Sequence, residues 1–83
     1  MVTIKVLGSR CPNCTQVAQN ARQAVAMMRV EATVEKVTDP AEIQEYHILV
    51  TPGLVVNEKL VSAGRIPIES EIMTWIADAL EAL

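Results

Sequence analysis

Two residues in this chain have side chains suited to covalent chemistry at physiological pH, and they lie close together. Cys11 and Cys14 are the only cysteines, separated by Pro12 and Asn13. A pair at this spacing suits reversible disulfide formation or capture of a soft metal ion, and its bland reading is two small buried hydrophobes. One helical turn separates Cα atoms by about 5 to 5.5 Å, within the ~4.4–6.8 Å that a disulfide accepts. A sulfur at a helix N-terminus faces unpaired N–H groups and the positive end of the helix dipole, and both favour the nucleophilic thiolate. Cys11, at the tip, is therefore expected to attack a partner disulfide, and Cys14, deeper in the first turn, to resolve the mixed disulfide.

The elements that must position this pair can be read from periodicity. Val2, Ile4 and Val6 alternate with Thr3, Lys5 and Leu7, which predicts a strand. Gly8-Ser9-Arg10 is a loop, and Pro12 suits the first helical position. Val17, Ala21, Ala24, Val25 and Met28 fall on one helical face, with Arg29 closing the helix. Residues 30–37 alternate again, with Glu31, Thr33 and Glu35 on one side, as on an edge strand. Asp39-Pro40-Ala41-Glu42 resembles a capping box and starts a short helix ending near Tyr46-His47. Leu54–Val56 and Lys59–Ala63 form a hairpin around Asn57-Glu58, a turn without the usual glycine. Ile72, Ile76, Ala79, Leu80 and Leu83 mark the apolar face of a last helix, with Trp75 on its flank.

The order β-α-β-α-β-β-α makes an α/β domain with a four-stranded mixed sheet and three helices. Its first two strands are parallel, and the hairpin adds an antiparallel pair in which strand three runs opposite to strand one and strand four runs back. This topology brings distant residues to one edge: the cysteines after strand one, Thr51-Pro52 before strand three, and Gly64-Arg65 after strand four. Arg10 and Arg65 are candidates for stabilising a thiolate or steering an acidic partner. His47 is read as a residue tolerating positive φ after a helix, Met27-Met28 as core filling, and Trp75 as packing.

With these residues in place, the chain resembles the thioredoxin-like superfamily in its short, glutaredoxin-like form, and most of all small redox-active disulfide proteins. The resemblance rests on Cys11-Pro12-Asn13-Cys14 after Ile4-Lys5-Val6-Leu7-Gly8, then Thr51-Pro52-Gly53-Leu54-Val55-Val56, Lys59-Leu60-Val61 and Gly64-Arg65. It implies a thioredoxin-like fold across a single domain, residues 1–83. It also implies a cis bond before Pro52, with Thr51 facing the nucleophilic sulfur and its free polar groups available to a bound peptide. The expected activity is thiol–disulfide exchange with protein disulfide substrates, the Cys11–Cys14 disulfide being restored to its dithiol by a reductase. Arg10, Thr51, Pro52, Gly64 and Arg65 are the expected substrate-binding residues. The pattern departs from thioredoxin proper at Arg10, where a tryptophan is usual, and from glutaredoxins at Asn13, where an aromatic is usual.

Two other functions compete with exchange. One is a chaperone that binds copper, zinc or a cluster through the Cys-X-X-Cys pair. No second Cys or His pair completes a tetrahedral site within the chain, although a dimer could share an ion. Domains of that kind typically end in a strand, whereas an amphipathic helix is expected here. The other is a redox-insensitive scaffold that binds partners.

Composition limits the rest. The 83 residues are enough for one modest core. Seven basic against ten acidic residues, one Trp, one Tyr and no Phe argue against nucleic-acid binding. No apolar stretch approaches the ~20 residues of a membrane helix. The N-terminus alternates like a strand and lacks the apolar core of a signal peptide, so a reducing cytoplasm is the expected compartment. No cofactor is expected.

Overall fold

The alternation of Val2–Leu7 becomes β1, an interior strand of the sheet. A computed structural model describes residues 2–8, 12–48 and 50–81. Val2, Ile4 and Val6 are fully buried on one face, while Lys5 and Leu7 lie on the other. α1 spans Pro12–Met28, β2 Ala32–Val37, α2 Pro40–Gln44, β3 Gly53–Val56, β4 Lys59–Ala63 and α3 Glu69–Glu81.

The strand order is β2-β1-β3-β4. β1 pairs parallel with β2, from Val2 opposite Ala32 to Leu7 opposite Val37. Parallel pairing needs a crossover, which α1 supplies. On its other side β1 pairs antiparallel with β3, from Ile4 opposite Val56 to Leu7 opposite Gly53. β2 is an edge strand with Thr33, Glu35 and Lys36 exposed, and such charges discourage edge-to-edge pairing.

The larger core joins Val2, Ile4 and Val6 to Cys14, Val17, Ala18, Ala21 and Ala24 of α1, Leu54 and Val56 of β3, and Ile72 and Ile76 of α3. Alanines along α1 bring that helix close to its neighbours. The opposite face holds a smaller core of Leu7, Val37 and Val55, covered by Ile43, Tyr46, Ile48 and Leu60. Each fully buried aliphatic side chain contributes about 1.5–3 kcal/mol relative to exposure.

Several expectations need correction. β2 begins at Ala32 rather than Val30, and the Glu31 carbonyl accepts from Val2 N at 3.0 Å. Met27 is 61% exposed, so only Met28 of that pair packs against the core. Leu80 is 38% exposed. Ala79, one residue earlier, packs against the larger core, so Leu80 lies at the margin of the buried face of α3. Leu83 lies outside the described residues.

The glycine-free hairpin is explained by its neighbours. Asn57 and Glu58 both have positive φ, 49° and 67°. Asn57 tolerates this well, and its Oδ1 accepts from Thr3 N at 2.9 Å. Glu58 is held by Lys5 Nζ at 2.7 Å and by the Tyr46 hydroxyl at 2.9 Å. His47 has φ 57°, in keeping with its expected place after a short helix, and Asp39 caps that helix by accepting from Ala41 N.

Candidate active site

The site forms where β1 ends and α1 begins. Gly8 extends β1 by one residue, its N–H donating to the Val37 carbonyl at 3.0 Å. α1 starts at Pro12, where proline's fixed φ suits a helix and its missing N–H is no loss. Cys14 is thereby the third residue of the helix, pointing inward at 3% exposure. Its sulfur is held in a disulfide. Cys11 and Arg10 lie outside the described residues.

Across from Cys14 is the segment before β3. Thr51 is exposed, Pro52 is buried, and the peptide bond between them is cis. Gly64, just past β4, has φ 78° and donates its N–H to the Pro52 carbonyl at 2.9 Å. A β-carbon on Gly64 would stand 2.6 Å from Val50 Cγ2, so only glycine lets the two loops close on each other. Cys14, Gly8, Thr51-Pro52 and Gly64 thus meet at one end of the sheet. The sequence places them there through strand direction; the structure adds the contacts that hold the loops together.

Arg65 is turned towards α3. Its guanidinium makes a two-pronged pair with Glu71, at 3.0 and 2.6 Å. The Arg65 hydrogen bond, followed by the Ile68 N–H, lowers the Glu71 carboxyl below its ordinary value of 4.5. Because the folded value is depressed, the pair's stabilising contribution is complete above pH 4.5 and lost as pH falls through the folded value. Both groups are solvent-facing, so the effect is small. In thermal melts, Glu71→Gln is expected to lie slightly below the parent at pH 6 and to converge with it in acid. A gap that widens on acidification would contradict this assignment.

Lys36 belongs to the margin of the site and was missed in the sequence reading. Its Nζ reaches Thr15 Oγ1, next to Cys14, at 3.4 Å. The available signal was that β2, parallel to β1, also ends at this edge. A cleft of about 270 Å³ lies beside Thr51, walled by Pro40, Ile43, Ile48 and Val50. A second cleft of about 300 Å³ lies at the far end of the sheet, between Trp75 and the β3–β4 hairpin, away from the cysteine. Trp75 itself packs against the larger core. Among the described residues, no group of three or more His, Cys, Asp or Glu side chains is placed to hold a metal ion. No helix among them is long and apolar enough to cross a membrane.

Residues 2–77 match the family model described as "Thioredoxin domain". A thioredoxin of Methanocaldococcus jannaschii is 38% identical over 81 residues, covering 98% of this chain and 93% of that protein. A thioredoxin of Methanothermobacter thermautotrophicus is 35% identical over 72 residues, covering 87% and 94% respectively. Among solved structures, a thioredoxin-2 described as a component of malaria parasite protein secretion machinery superposes with TM-score 0.71 at 10% identity. The superposition covers 94% of this chain and 82% of that one, and it shows a shared fold.

Proposed function

Since this chain belongs to the thioredoxin family of thiol–disulfide oxidoreductases, we propose that it reduces protein disulfides, with Cys11 as the attacking residue and Cys14 as the resolving one. The observation that carries this reading is the inward, disulfide-bonded Cys14 in the first turn of α1, beside Gly8. A buried sulfur is poorly placed to meet a protein substrate and well placed to make the second-step attack on a neighbouring sulfur.

In the first step the Cys11 thiolate attacks one sulfur of a partner disulfide. The partner's S–S bond breaks, a mixed disulfide forms, and the partner's other sulfur leaves as a thiolate that takes up a proton. In the second step the Cys14 thiolate attacks the Cys11 sulfur. The Cys11–Cys14 bond forms, and the partner leaves as a dithiol, having gained two electrons. A reductase of dithiol chemistry returns those electrons. Arg10, Thr51, Pro52, Gly64 and Arg65 would form the peptide-binding rim, with the exposed Thr51 offering main-chain polar groups to an extended substrate. The family relation does not favour the metal-chaperone alternative.

The test is Cys14→Ser. Without a resolving sulfur the first step stops at the mixed disulfide, so incubation with a disulfide-bonded protein should accumulate a covalent adduct. The adduct should be released by dithiothreitol and be absent in the Cys11→Ser/Cys14→Ser chain. Failure of Cys14→Ser to form an adduct, with Cys11→Ser forming one instead, would reverse the two roles.

A further inference from the structure

Gly8 contributes a position rather than a side chain. Its φ is +147°, a region that L side chains rarely adopt. A β-carbon built there would clash severely with the Cys14 sulfur, while standing 3.4 Å from Thr51 Cβ and 3.6 Å from Cys14 Cβ. The last two distances are ordinary contact. The conflict is therefore confined to one atom, and that atom is the one that changes bonding in the reaction. Gly8 cannot drift away to relieve it, because its N–H is tied to the Val37 carbonyl as a continuation of the sheet.

We infer that the absent side chain of Gly8 is the seat of the Cys14 sulfur, making Gly8 a positioning residue that sets the balance between the disulfide and dithiol forms. This deepens the proposed exchange activity and rests on it. The asymmetry between the two forms is physical. In the disulfide, the Cys14 sulfur is fixed by its covalent bond. In the dithiol it is free to rotate about the Cα–Cβ bond into another staggered position. A methyl group on residue 8 thus opposes the oxidised form more than the reduced form. Reduction of the Cys11–Cys14 bond takes two electrons and two protons from an external dithiol, which itself becomes a disulfide.

Equilibration of the parent and Gly8→Ala in glutathione redox buffers, read by alkylation of free thiols, gives the equilibrium constant of each. The expected result is a shift of at least about tenfold towards the dithiol in Gly8→Ala, which is about 30 mV less negative for a two-electron couple. A shift of less than twofold, or one towards the disulfide, would overturn the inference. A second measurement separates the sulfur conflict from backbone strain. The loss of urea stability caused by Gly8→Ala should shrink clearly when Cys14 is already Ala, because the remaining neighbours are at contact distance. An equal loss in both backgrounds would mean that Gly8 serves the turn alone. If Gly8→Ala does not fold but Gly8→Ala/Cys14→Ala does, the sulfur seat is supported; if neither folds, it is refuted. A parent chain that shows no reversible thiol–disulfide equilibrium would remove the exchange function, while the stability comparison would still decide whether the sulfur sits on Gly8.

Discussion

Cys11→Ser is expected to abolish disulfide reduction, leaving only the background rate of the reductant. The argument is chemical before it is structural. A thiol is partly or largely ionised near neutral pH when a helix start favours the anion, whereas a serine hydroxyl is not. Serine also cannot form the mixed disulfide through which electrons move, so no slower version of the same route remains. Insulin reduction followed by turbidity would measure the loss. Circular dichroism and thermal melting of the reduced chain should show that the fold persists. Residual turnover above background in Cys11→Ser would contradict the proposed attack step.

The largest expected stability effect is at Ile72. Its side chain is completely buried in the larger core, where α3 packs with α1 and β1. Ile72→Ala removes three carbons from a site bounded by two helices and the sheet, and such truncations cost about 2–5 kcal/mol. A chain of this length is stable by only about 4–12 kcal/mol, at the usual stability per residue. At the middle of both ranges the substitution should remove roughly two fifths of the total. Urea unfolding should show a much lower midpoint with an unchanged slope. Leu80→Ala on the same helix should cost less than about 1 kcal/mol, because Leu80 is already 38% exposed. Equal losses at the two positions would mean that α3 is docked in a different rotation.

Local pattern made much of this protein readable. The two-residue period of Val2–Leu7 and the helical period after Pro12 each have one physical solution once a single face must be buried. Proline at residues 12 and 40, with Asp39 before the latter, marked where two helices begin. Strand direction then followed from connection lengths, which is why Cys14, Thr51-Pro52 and Gly64 were expected at one edge without any contact being known.

Where the reading failed, the missing information was tertiary. Nothing in Met27-Met28 says which of the two meets the core; the rotation of α1 on the sheet decided it. Leu80 follows Ile72 and Ile76 at four-residue steps, and each step drifts about 40° round a 3.6-residue helix, so it comes to rest at the margin of the face that packing selects. Asn57-Glu58 looked like an imperfect turn because its support comes from Thr3, Lys5 and Tyr46, each far away in sequence. Arg65 read as a free charge near the cysteines, and the packing of α3 gave it Glu71 instead.

The order of elements, the pairing sense of the strands and the two-residue spacing of the only cysteines were legible in the sequence alone, because periodicity, breakers and residue spacing are local properties. The closeness of Gly8 to the Cys14 sulfur and to Thr51, the bond tying Gly64 to Pro52 and the partner chosen by Arg65 were decided only by the tertiary structure. Those features depend on the distances between segments, and such distances exist only once two faces of one sheet have been covered at the same time.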